Sequence, residues 1–288
     1  MLTLKNKDKK YFTLYNANLR TKTIVVISVA LILFLIIILS SIFVDKTTAL
    51  ATNFTNINQP PSLEYPFGTD WMGRNMFTRT LLGLGISVGI GVLTSILTTI
   101  IAIILGVASS LNNLMDEAVA LVIDLFGSIP HILLIILVSI CFGTGIYGVI
   151  MGIGLTHWTP LARVLRAEIK KIKATDYVKL SKQLGHSKWW IAKKHIIPLV
   201  VSQVIVGLIL VFPHAIMHEA SISFLGFGLS PHEPAIGIIL AEAMNYFSLG
   251  YWWLAVFPGL SLLLIVLIFD LIGENVQKLL DPQSVEGK

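Results

Sequence analysis

Six apolar runs alternate with polar stretches along the chain, and each is long enough to be read as a membrane span. The first, Ile24–Val44, is 21 residues without a basic or acidic side chain, enough to cross a hydrocarbon core of about 30 Å. Five more follow at Gly85–Leu111, Ala118–Ile140, Tyr147–Leu165, Leu199–Ser221 and Trp252–Ile272. The pattern predicts an all-α membrane protein with six transmembrane helices. Gly85, Ser87, Gly89 and Gly91 lighten the first half of the second run and allow close helix packing. The third run carries Asp124 and a break at Ser128-Ile129-Pro130-His131. A carboxylate at that depth is costly unless it faces protein, water or the interface. His157-Trp158 and Pro160 interrupt the fourth run.

The polar connectors differ in kind. Residues 45–80 contain Pro60, Pro61, Pro66, Gly68 and Gly73, which exclude a long regular element. Residues 223–247, with Gly226, Gly228, Pro231 and Pro234, predict an irregular segment, able to re-enter the bilayer only where protein covers it. The stretches 112–117 and 143–145 are short turns. The longest break is Leu165–Pro198, where a helix–Gly–helix pattern is legible. Tyr177, Leu180 and Leu184 share one helical face, with Lys179 and Lys182 off it. Gly185 is placed to end that helix, and Ser187 to cap a second one beginning near Lys188. Pro198 interrupts the backbone as the next apolar run begins. A short helix with exposed apolar knobs is shaped to enter another protein's groove.

Composition narrows the class. The chain is 55% hydrophobic and 13% charged, with mean hydropathy +0.81, against roughly 25% charged residues in a soluble domain. The net charge of +5 sits in juxtamembrane blocks, so the implied partner is a lipid bilayer and no nucleic acid. Arg163 and the 165–198 stretch hold ten of the 21 Lys and Arg residues. On the alternating topology only Lys46, Arg74 and Arg79 lie outside, against 18 of 21 inside, which sets both termini in the cytoplasm. The organisation is therefore a cytoplasmic N-terminal segment (1–23), a first span (24–44), an external segment (45–80), a five-helix core (81–273) containing the 165–198 loop, and a cytoplasmic tail (274–288). Tyr11, Phe12, Leu14 and Tyr15 suit an interfacial helix. The first run is too long for a signal-peptide core and reads as an anchor. A single cysteine, Cys141, excludes an intrachain disulfide.

Chemistry-bearing residues are few. No phosphate-binding Gly-x-x-x-x-Gly-Lys-Ser/Thr loop is present; the one Gly-Lys pair is the last two residues. The chain is expected to bind no cofactor and to be no enzyme, so uphill transport needs a separate ATPase. His214 and His218 stand i, i+4 on one helical face, and two imidazoles so presented can share Ni, Zn, Co or Cu. Met217 points about 100° away. The alternative is that these histidines only bond neighbouring helices. An intramembrane enzyme using His214, His218 and Glu219, and a passive channel, also stand open.

Asp176-Tyr177-Val178, Gly185 and His195-Ile196-Ile197-Pro198 resemble the cytoplasmic loop of binding-protein-dependent ABC importer permeases. The family's Glu-Ala-Ala triplet is replaced by Lys179-Leu180-Ser181. Gly68-Thr69-Asp70, Gly73-Arg74-Asn75 and the stretch from Arg79 to Gly83 resemble the first external segment of the dipeptide, oligopeptide and nickel branch; Leu280-Asp281-Pro282 resembles its C-terminal signature. The resemblance implies the type I importer permease fold and a cell-membrane location. It also implies a homologous second permease, two ATPase subunits carrying ATP and Mg, and an extracytoplasmic substrate-binding protein. Asp176, Tyr177, Leu180, Leu184, Gly185 and Pro198 then contact the ATPase. The run from Pro213 to His218, leading into Ser223-Phe224-Leu225-Gly226, is similar to nickel permeases more than to peptide permeases, and Thr156-His157-Trp158 is a second match of that kind. This implies a path lined by His157, His214, His218 and Glu219. The expected cargo is a nickel, cobalt or zinc ion or a metal–chelator complex, held by His214 and His218, with a dipeptide or oligopeptide as the alternative.

Overall fold

A computed structural model describes residues 19–280. The interfacial helix expected around Tyr11 and the Asp281-Pro282 signature lie outside the described residues. Helix α1 (Leu19–Phe43) is followed by a short α2 (Lys46–Leu50), a 3-10 turn (Phe54–Asn56) and α3 (Met76–Ala108). Then come α4 (Asn113–Gly127), α5 (His131–Cys141), α6 (Ile146–Gly154), α7 (Thr159–Lys173), α8 (Asp176–Gln183) and α9 (Lys188–Ile191). A π turn (Ala192–Ile196) leads into α10 (Ile197–Phe224), and α11 (Ile236–Phe247) and α12 (Trp253–Leu280) complete the described chain. Among the described residues there is one isolated β-bridge, Thr69 to Asn75, and no strand.

Local chemistry sets the boundaries. Asp45 caps α2 by accepting from the amides of Thr47 and Thr48. The hydroxyl of Thr47 first, then that of Thr48, holds its carboxyl down at about 2, so the cap stays ionised. Asn75 caps α3 through a 2.9 Å bond from the Phe77 amide, and Asn112 caps α4 through a 2.8 Å bond from Met115. Helix α3 thus begins at Met76, well before the Gly85 that hydropathy alone selects, and draws Arg79 into a span.

Among the described residues six uninterrupted spans do not form, and four helices are long and apolar enough to cross a membrane, namely α1, α3, the continuous run Lys188–Phe224, and α12. A fifth is counted if α4 and α5, which meet at 97°, make one broken span. Ser128 ends α4, and Pro130, which has no amide to donate, starts α5 on a new axis. The expected fourth span, Tyr147–Leu165, is likewise two helices. Helix α6 is apolar and stops at Gly154, while α7 is amphipathic, burying Leu161, Leu165, Ile169 and Ile172 on one side. The segment 223–247 is irregular only in part, because α11 occupies Ile236–Phe247 and buries Ile236, Ile238 and Ile239. Its hydrophobic positions outweigh the preceding Gly and Pro signals, which shape residues 225–235 alone.

Helix α10 is the central element, packed on α3, α11 and α12, while α1 lies along α12. Phe34, Phe212 and Phe269 meet edge-on or tilted where α1, α10 and α12 converge. Small residues let the helices close up. A Cβ on Gly91 would collide with Ile216, and one on Gly207 with Leu161. At the basic end, Asp116 of α4 binds Arg166 and, at 2.7 Å, Lys170 of α7, while Lys173 reaches the Ser110 carbonyl. Asp124, costly if it faced lipid, is exposed there and pairs with Arg163 at 3.5 Å.

Candidate functional site

Helices α5 and α6 form a tight hairpin around the 143–145 turn. A Cβ at Gly152 would collide with Ser139 Oγ, and one at Gly148 with the Gly143 carbonyl. The two helices are 11 and 9 residues long, so their far ends lie about 13–16 Å from the turn, close to half the thickness of a bilayer core. Both chain breaks fall at that level. His131 opens α5 directly after Pro130, and His157 occupies the turn between α6 and α7. Helix α10 passes alongside and adds His218.

The three imidazoles converge. His131 Nε2 lies 2.9 Å from His157 Nδ1. Ring centroids are 4.9 Å apart for His131 and His218 and 5.0 Å for each of the other two pairs. One ligand-capable nitrogen from each histidine lies within 4.8 Å of the others. His214, one turn before His218, is exposed, and its ring centroid is 5.9 Å from that of His157. Of the pair expected at His214 and His218, His218 groups with His131 and His157, while His214 stands one turn away on the same face. The i, i+4 spacing correctly puts the two α10 histidines on one face, but the partners from other helices sit level with His218. His131, which is not among the residues expected on sequence grounds, joins this group because α5 starts directly after Pro130, beside His157.

Glu219 does not join the histidines. It is fully buried about 100° further round α10 and accepts a 3.0 Å bond from Ser223 Oγ. Its second oxygen has no hydrogen-bond partner among the described residues. Pro213 lies inside α10, which continues through it.

The second group of expected site residues lies at the basic end. In α8, Tyr177, Leu180 and Leu184 are exposed, and Val178 and Ser181 face inward. Asp176 heads the helix with its side chain in solvent, 3.1 Å from Lys179. Gly185 has φ +84°, and the Gly185 and His186 amides bond the Lys182 and Ser181 carbonyls at 3.1 and 3.2 Å. This is the double-bonded helix end that a left-handed glycine permits. Ser187 caps α9 by accepting from Trp190 N. Ser181 Oγ and His195 Nε2, 2.9 Å apart, tie α8 to the π turn, and His186 stacks on Trp190 at 3.7 Å. Pro198 sits in the first turn of α10, where the missing amide costs little.

A third cluster lies at the opposite end. Arg79 bonds Asp70 at 3.1 Å and Glu242 at 2.7 Å, and Arg74 bonds the same two carboxylates at 2.6 and 3.3 Å. Asp70 also accepts from the Met72 and Arg74 amides at 2.9 Å each. The network fastens the Gly68–Asn75 turn to α3 and α11, so these loop residues act as a clasp.

Residues 98–283 match the family described as binding-protein-dependent transport system inner membrane component. A Brucella suis protein named for a peptide transport system permease is 35% identical over 263 residues, covering 90% of this chain and 88% of that protein. The oligopeptide transport system permease protein OppC of Bacillus subtilis is 30% identical over 281 residues, covering 96% and 92%. Among solved structures, a chain of the MetNI methionine ABC transporter in an inward-facing conformation superposes with TM-score 0.60 at 16% identity, covering 72% of this chain and 98% of that one. The last likeness concerns the fold, that of a type I importer permease. With an apolar multi-helix architecture and a family match over most of its length, the chain belongs to the binding-protein-dependent transport system inner membrane components, the membrane permease subunits of ABC importers, in which separate subunits hydrolyse ATP.

Proposed function

We propose that the chain is one of two homologous permease subunits of an ATP-driven importer whose cargo is a short peptide or a peptide-like molecule. The peptide and oligopeptide permeases to which it is similar over most of its length support that cargo class above free metal uptake. Two ATPase subunits complete the importer, one of them docking on α8, where Tyr177, Leu180 and Leu184 offer an apolar face within a basic surround. An extracytoplasmic binding protein delivers cargo to the end that carries the Asp70–Arg79–Glu242 clasp. On this reading the α8 end and both termini face the cytoplasm, which the excess of Lys and Arg at that end supports. The test is uptake of radiolabelled di- to hexapeptides by the reconstituted importer. ATP-dependent, saturable accumulation is expected; none with any peptide overturns the cargo class.

A second reading, uptake of a metal ion or a metal–chelator complex, is favoured by one observation, the convergence of His131, His157 and His218. On this reading the importer accumulates radioactive nickel or cobalt, alone or with an amino-acid-derived chelator, and His157→Ala combined with His218→Ala abolishes accumulation while the subunits still assemble. Wild-type metal accumulation by that variant removes the reading.

A further inference from the structure

We propose that His131, His157 and His218 form a site for one divalent transition-metal ion at the level of the two helix breaks. The inference stands on geometry and is independent of which cargo the importer carries. The three ligands come from three separate elements: the start of α5, the turn after α6, and α10. Packing holds all three. Pro130 fixes the first, the Gly152–Ser139 contact sets the level of the second, and α10 is held along its length by α3 and α12. Three partly buried imidazoles brought together by chain breaks are costly unless they bond something, because each carries a donor and an acceptor. The pair His131–His157 satisfies one nitrogen of each ring, and among the described residues no hydrogen bond is made by His218 at this cluster.

The donor chemistry selects the ion. No carboxylate or thiolate is in the group, which excludes a hard calcium or magnesium site. Neutral imidazoles suit zinc, nickel, cobalt or copper. Around an ion bound at about 2.0–2.1 Å, tetrahedral imidazole nitrogens sit about 3.3 Å apart. The present 2.9 Å separation of His131 and His157 is that of a hydrogen bond, and the wider group spans up to 4.8 Å. Binding therefore exchanges the bond for two metal bonds. The ring that donates moves its proton to its other nitrogen, and the third ring closes in by rotation about its side chain. No proton is released in this exchange. Three protein ligands leave a fourth position for water or for a donor atom of a passing molecule, so the ion is held without being caged.

The experiment uses the complete importer, purified in lipid nanodiscs and titrated with Co²⁺, followed by visible absorption and by metal analysis after gel filtration. One ion per copy of this chain is expected, with the intense absorption of a four-coordinate cobalt centre. His131→Ala, His157→Ala and His218→Ala each lower affinity by about 100-fold or more, and the exposed-loop control His232→Ala leaves it unchanged. His157→Asn, which keeps a polar group toward His131, covers the case in which the alanine variant does not assemble. Wild-type protein that binds no cobalt, or a triple-alanine variant that binds it as tightly as wild type, overturns the site. So does an equal loss in His214→Ala, which would shift the ligand set to the two α10 histidines. Peptide uptake by the same preparation separates the two conclusions, since intact uptake without metal binding removes only the metal site.

Discussion

Arg79 Nη2 lies 2.7 Å from Glu242 Oε2, joining residues 163 positions apart in the sequence across the boundary between α3 and α11. The guanidinium is almost wholly buried and also holds Asp70. Removing it leaves two carboxylates, Asp70 and Glu242, to the single guanidinium of Arg74. Arg79→Met is expected to destabilise the protein by about 3 kcal/mol, read as a lower melting temperature in detergent. Arg79→Met combined with Asp70→Asn should recover part of the loss. A single variant that melts with wild type would show that the clasp contributes nothing.

Gly185 has open space around a prospective Cβ, so only its backbone restricts what can replace it. Its φ of +84° costs a β-branched residue about 1–2 kcal/mol, whereas Asn visits this region more readily. Gly185→Val should tilt α8 and lower cargo-stimulated ATP hydrolysis of the assembled importer several-fold, while Gly185→Asn retains most of it. Equal hydrolysis by both would separate the α8 ending from coupling.

The hairpin of α5 and α6 offers a paired test. Gly152→Ala drives a methyl into Ser139 Oγ and should cost about 1–3 kcal/mol. Among the described residues Ser139 Oγ has no hydrogen-bond partner, so Ser139→Ala alone should be close to neutral, and the double variant should be more stable than Gly152→Ala. Gly89→Ala, with nothing near its Cβ, is the control. Additive losses would refute the contact.

Orientation is testable by thiol labelling once the exposed Cys141 is replaced by Ala. A cysteine at Thr55 should react with an impermeant maleimide added outside intact cells, and one at Lys171 only after permeabilisation. The reverse pattern would invert the proposed topology.

Much of this was legible in the sequence, and the exceptions share a cause. Apolar runs located α1, α10 and α12 because lipid exposure demands little beyond length and hydropathy. The stop at Gly185 and the cap at Ser187 were readable because both are local backbone chemistry. The fourth run hid two helices, since hydropathy averages over a break that Pro160 and His157 only hinted at. Helix α11 was masked by the Gly and Pro residues just before it. The histidine set needed the distances between α5, α6 and α10, which no spacing along one helix encodes. The sequence singles out His218 beside His214 on α10, yet its nearer neighbours belong to other helices.

The π turn at Ala192–Ile196 lets α9 and α10 run as one helical body from Lys188 to Phe224, 37 residues or about 55 Å. Near its lower end it is laced to α8 by Ser181 and His195, and some 35 Å further along the same rod stands His218. A push on α8 thus has a long lever to act through, with the wider π turn and Pro213 as its compliant points. What the far end of that lever moves is one of three imidazoles whose other two are anchored to different helices. A few degrees of tilt there would make or unmake the triad.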